Sequence, residues 1–158
     1  DLSDATRRRE VLHRIAAGHR RVVVISEGLL AYLTPDAAHE LARELAVYPS
    51  YSHWLVDLIN PGVLKLMQTR AADTMTETAR VEFGPAEGPR VFESAGWKPI
   101  ECHSILKAAA RLNRLRLFMR LIAMLPEDPY DVPKKRPWAG VCVLERTTGT
   151  DGAPAPDA

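Results

Sequence analysis

The stretch VVVISEGLLAYLTPD, Val22 to Asp36, changes character twice within fifteen residues. Val22–Ile25 is a β-branched run, and with Arg21 and Ser26 at its ends it reads as a strand apolar on both faces. That is the pattern of a central strand in a parallel sheet. Thr34-Pro35-Asp36 is a helix start: Thr34 caps, Pro35 suits the first turn, and Asp36 complements the positive end of the helix dipole. Glu27 stands at the joint, a carboxylate directly after residues that should be dry.

The same plan recurs downstream. SHWLVDLI (Ser52–Ile59) reads as a second strand, and Asn60-Pro61 opens a helix expected to run to about Thr78. A turn-rich GPAEGP (Gly84–Pro89) leads into a short helix ending at Gly96. WKPIECHSI (Trp97–Ile105) then reads as extended, and AGVCVLER (Ala139–Arg146) as a final antiparallel strand at or near a sheet edge. Upstream, about Asp4 to Ala17 has helical spacing in Val11, Leu12, Ile15 and Ala16, with Gly18 suited to the C-terminal cap. Apolar strands alternating with helices predict an α/β fold with helices on both faces of the sheet. Ligands of such sheets bind outside the carboxyl ends of the strands. Glu27 and Asp57 both stand at such ends.

Composition narrows the function classes. The chain of 158 residues has 46% hydrophobic and 26% charged residues, an ordinary globular balance, and a formal net charge of +1. That charge gives no general attraction to nucleic acid. No apolar run approaches the roughly 20 residues of a membrane span, so no stable membrane insertion is expected. Nothing in it reads as a signal peptide. Cys102 and Cys142 lack metal-site spacing and read as reduced core thiols of a cytoplasmic protein. The five histidines are dispersed, and TRRRE (Thr6–Glu10) and KKR (Lys134–Arg136) read as solvated charge runs. Residues 148–158, rich in Pro, Gly and Ala, read as a disordered tail.

SEGLLAYLTPDA (Ser26–Ala37) resembles the fourth-strand motif of the leucine carboxyl methyltransferase family, class I S-adenosylmethionine-dependent O-methyltransferases. The matching positions, in order, are Glu27, Gly28, Leu29, Leu30, Tyr32, Leu33 and Pro35. With the Asp57-Leu58 pair, the variant is most similar to the branch that tailors polyketides, typified by the tetracenomycin-synthesis O-methyltransferase. FESAGW (Phe92–Trp97) resembles the family's helix-turn before its sixth strand, and RPWAGVCVLER (Arg136–Arg146) its closing strand. The resemblance implies that residues 1–147 form the C-terminal portion of a Rossmann-like class I methyltransferase sheet, closed by an antiparallel strand. It implies S-adenosyl-L-methionine as cofactor, with Asp1 and Leu2 at its adenine end and Glu27 and Gly28 near its charged end. It further implies a small-molecule acceptor, with Tyr32 and Asp57 beside it.

One departure is plain. The family's Gly-rich loop and its ribose-binding acid belong to earlier strands, and no GxGxG stretch occurs here. The opening DLSD, without Met, reads as a cut end. An incomplete sheet would expose a central strand, which favours a homodimer.

The residues also support plainer readings. Glu27 could cap a turn or pair with an arginine, Asp57 could be structural, and Tyr32 a core aromatic. A segment expected to be one long helix, LKAAARLNRLRLFMRLIAML (Leu106–Leu125), mixes arginines with Leu, Phe, Met and Ile. Its simplest role is core packing with arginines flat over apolar surface. Arg111 or Arg114 could instead attract an acidic acceptor, and the whole helix could bind a membrane surface or a partner groove. A non-catalytic module for oligomerisation or such binding is the alternative to methyl transfer.

Overall fold

The computed structural model describes residues 4–71, 80–127 and 136–147. Its centre is a four-stranded open sheet in the order β1 (Val22–Ser26), β2 (Tyr51–Ile59), β4 (Ala139–Arg146), β3 (Trp97–Ser104). β1 and β2 are parallel; β4 runs antiparallel to both β2 and β3. Three strands therefore share one direction, and the last strand is reversed between two of them. The expected α/β class is the one observed. The closing strand is antiparallel and near an edge, as expected: β4 lies one strand in, and β3 takes the edge itself.

β1 reaches β2 through α2 (Pro35–Ala46), which begins where the sequence predicts. Thr34 Oγ1 accepts from the amide of Ala37 at 3.2 Å. Ala38, Leu41, Ala42 and Leu45 recur at helical spacing and are buried against the sheet. Beneath them Trp54, Trp97 and Phe92 form the aromatic centre, with Trp54–Phe92 ring centroids 5.0 Å apart and Trp54–Trp97 5.6 Å. Each indole N–H has a partner: Trp54 donates to Ser26 Oγ and Trp97 to the Ala42 carbonyl, both at 2.9 Å.

At the end of β2, Asn60 is buried and joins three segments. Its Oδ1 accepts from the amides of Val63 and Trp138, and its Nδ2 donates to the Arg136 carbonyl. It thereby caps α3 (Pro61–Ala71) and fixes the entry to β4. Gly140 must be glycine because a Cβ there would overlap the Trp138 ring.

Several expectations are corrected. β1 is the outer strand among the described residues. Its inward side packs on α2, but Val23 and Ile25 are 54% and 70% exposed, with no helix among the described residues over their face. Gly18 is simply the last residue of α1 (Ala5–Gly18), with extended His19 after it, so it makes no left-handed cap. The single helix over 106–125 is two short ones, α4 (Ile105–Arg111) and α5 (Leu117–Ala123). Asn113 breaks it, at φ 54°. Arg114 N donates to Ala109 O and Asn113 N to Ala110 O, the paired bonds of a Schellman end with Asn in the left-handed position. Cys102 and Cys142 are not reduced thiols. They face each other in the β3–β4 register and are bonded, 40 residues apart in sequence. Asp1, Leu2, the helix extension to Thr78 and the tail 148–158 lie outside the described residues.

α1 buries no residue fully, although Leu12 and Ala16 pack on the core. Charge fastens it. Arg8 grips Glu44 through Nε at 2.5 Å and a second nitrogen at 2.9 Å, and Arg9 reaches Glu44 at 2.7 Å and Glu40 at 3.0 Å. Burial pushes the Glu44 carboxyl up, but the hydrogen bonds and charges of Arg8 and Arg9 outweigh it and hold its pKa below the ordinary value. A depressed carboxyl stabilises the fold above its unfolded pKa, about 4.3, and loses that contribution as pH falls through the lower folded value. Glu44→Gln should therefore cost about 1–3 kcal/mol at neutral pH through the Arg8 pair. Melting temperatures of the two proteins, measured against pH, should converge only as the pH falls through the depressed folded pKa of Glu44.

Candidate functional site

The carboxyl ends of β1 and β2 meet at Gly28. Its amide donates to both carboxylate oxygens of Asp57, each at 3.0 Å. Asp57 is thus the clamp that closes the turn after β1. Gly28 has φ 62°, a conformation that disfavours any side chain, yet no atom lies within 4 Å of where a Cβ would stand. The turn is conformationally tight and spatially open. Glu27 precedes it, exposed, and among the described residues its carboxylate makes no hydrogen bond or ion pair. Of the predicted site residues, Glu27, Gly28 and Asp57 are the three brought together.

Tyr32 is half-exposed, on the 3-10 turn Leu30–Tyr32 that follows. That turn is pinned by its own backbone: the Ala31 carbonyl accepts from the amides of Glu82 and Phe83 at 2.8 and 3.1 Å. Beside the Glu27 corner runs an apolar groove of about 430 Å³ between α1, β1 and α2, lined by Leu12, Val24, Ser26, Leu29, Leu41 and Leu45 among others. Arg7 and Arg8 stand at it as well. Sequence reading missed this groove because its walls come from three segments.

Arg111 is elsewhere. It lines a cavity of about 150 Å³ with His103, Ser104, Lys107, Glu127 and Trp138, where β3 gives way to α4. Among the described residues, the Ser104 hydroxyl and Glu127 Oε2 are buried there without a hydrogen-bond partner, although Lys107 Nζ stands 4.0 Å from that oxygen. Nothing in the sequence signalled Ser104 or Glu127, because the cavity is assembled from residues far apart in the chain. The cavity and the Glu27 corner share one end of the sheet. Asp57 and His103 both pair with Val141, so they stand on one face two strand spacings apart, roughly 10 Å.

The turn makes a quantitative test. Gly28→Ala gains no clash, so its cost is the left-handed backbone alone, about 1–2 kcal/mol. Asp57→Ala removes the acceptor of an exposed bond and should cost about 1 kcal/mol. Urea unfolding of both variants and of the double variant should show less than additive loss, because the two changes undo the same turn.

Compared with known proteins, the chain matches no protein-family model and no curated protein.

Proposed function

We propose that this chain carries part of an S-adenosylmethionine-dependent O-methyltransferase that acts on a carboxylate or hydroxyl of a small, polyketide-like acceptor. The observation that carries this reading is the corner at the carboxyl ends of two parallel strands. There Glu27 is uncommitted, the Gly28 turn is open and Asp57 holds both in place. The residues present suit the cofactor. An exposed carboxylate beside a largely apolar groove of about 430 Å³ matches a molecule with a cationic end and a flat base. Glu27 and Gly28 would hold its charged end, and the groove walls at Ser26 and Leu29 its apolar part. When bound, S-adenosylmethionine supplies an activated methyl group on a sulfonium sulfur.

The chain's own work is positional. Glu27 orients a cation through charge-assisted hydrogen bonds. Asp57 is spent on the Gly28 amide, so its role is to set the turn rather than to move a proton. Lys107 and Arg111, in the cavity at the same end of the sheet, would draw an acidic acceptor. A carboxylate acceptor is already ionised at neutral pH and needs no general base. Alignment of the reacting groups and exclusion of water then carry the rate, and alignment alone is worth roughly 7–11 kcal/mol. Tyr32, half-exposed after the turn, would line the acceptor side.

Transfer of a labelled methyl group from S-adenosylmethionine, assayed with the protein isolated from its native source, tests the reading. Glu27→Gln should lower that activity at least tenfold while leaving the melting temperature unchanged. The present sequence has no Gly-rich loop, so by itself it should bind S-adenosylmethionine more weakly than micromolar in calorimetry. No transfer by native protein whose intact mass equals 17.5 kDa would replace this reading with that of a non-catalytic binding module.

The outer edge of β1 supports a homodimer. Exposed Val23 and Ile25 beside an open strand edge favour association. Ile25→Lys should shift sedimentation toward the monomer, and an unchanged profile would place the interface elsewhere.

A further inference from the structure

We propose that the α4–α5 segment docks on an anionic lipid surface. The break at Asn113 turns the second half of this segment outward. Leu117, Phe118 and Met124 are 76%, 71% and 79% exposed, and Leu112 and Leu121 are exposed with them. Side chains this apolar are normally covered, and a contiguous exposed cluster marks an interaction surface. The charge of the same segment is one-sided. Residues 105–125 contain one lysine and four arginines and no Asp or Glu. Arg114, Arg116 and Arg120 are exposed among the apolar residues.

That combination selects the occupant. A second copy would bring an equally positive patch against the first. A nucleic acid would satisfy the arginines, but four of the five apolar side chains are aliphatic or thioether and offer bases no aromatic surface to stack on. An anionic bilayer satisfies both features. Leu117, Phe118, Leu121 and Met124 enter the boundary between headgroups and acyl chains, and the arginines reach the phosphates. The helices are seven residues each, so the contact is peripheral. Consistently, no helix among the described residues is long and apolar enough to cross a membrane. The inference stands apart from the methyl-transfer reading, since none of these side chains belongs to the Glu27 corner.

Co-sedimentation of the whole chain with vesicles tests it. Binding should appear with phosphatidylcholine vesicles containing phosphatidylglycerol, be absent with phosphatidylcholine alone, and weaken as salt rises. The triple change Arg114→Gln, Arg116→Gln, Arg120→Gln should lower partitioning roughly a hundredfold. Phe118→Ser alone should lower it roughly tenfold. Every substituted side chain is exposed, so all variants should keep the parent melting temperature. No binding to the anionic vesicles, equal binding to neutral ones, or binding indifferent to both sets of changes would overturn the proposal. So would an oligomer of the parent, seen by light scattering, that Phe118→Ser dissociates while vesicles are ignored. Capture of acidic polyglutamate in place of vesicles would overturn it equally.

Discussion

The hydrogen bond from Trp54 to Ser26 sets the rest of the molecule. Trp54 has no exposed surface and sits on β2, the strand that pairs with both β1 and β4. Its ring fills the space under α2 and touches Phe92 and Trp97. Its N–H would be an unsatisfied buried donor without Ser26 Oγ, at a cost of about 1–3 kcal/mol. This bond holds Ser26 inward at the last position of β1. Because strand side chains alternate, the next residue must turn outward, and the next residue is Glu27. The exposure of the candidate ligand-binding carboxylate follows from the burial of one indole.

Asp57 and Asn60 extend that constraint along the same strand. Asp57 stands three residues beyond Trp54 and closes the Gly28 turn through both its oxygens. Asn60, three further on, uses its amide for the start of α3 and the start of β4. Three side chains of one short stretch therefore position three different segments at one end of the sheet. Each spends its polar atoms on backbone groups or a buried hydroxyl. That leaves Glu27, which spends none, as the free chemical group of the corner.

How much of this was legible in the sequence depended on range. Local chemistry was readable: the Thr34-Pro35-Asp36 start, the apolar stripe of α2, the strand over Tyr51–Ile59 and the joint at Glu27–Gly28 all follow from residues within a turn of each other. Features built from distant residues were not. The pairing of β4 with both β2 and β3 depends on Asn60 and Trp138 meeting across the chain. The Cys102–Cys142 bond depends on register between β3 and β4, which no spacing rule reveals. Asn113 is the instructive intermediate case. An asparagine inside a helical pattern is also a left-handed cap, and the local sequence LNRL did not choose between the two. What settles it is the backbone: Asn113 takes the left-handed conformation and the Schellman bonds close behind it.

Two of the exposed apolar surfaces among the described residues, on β1 and on α5, differ in their electrostatics. Val23 and Ile25 lie beside an open strand edge, where backbone donors and acceptors make another strand the natural neighbour. The α5 surface has no edge to offer, only apolar side chains set among arginines, which suits a fluid anionic surface better than a shaped protein one. α4 leads from the end of β3 directly into that surface, and the cavity holding Lys107 and Arg111 lies at its root. If lipid docking and methyl transfer both hold, the acceptor pocket opens next to the bilayer. A greasy, acidic small molecule partitions into that interface, so the chain would meet its acceptor where it is concentrated. The two arginine roles then divide along the helix break: Arg111, before Asn113, faces the acceptor, and Arg114, Arg116 and Arg120, after it, face the lipid.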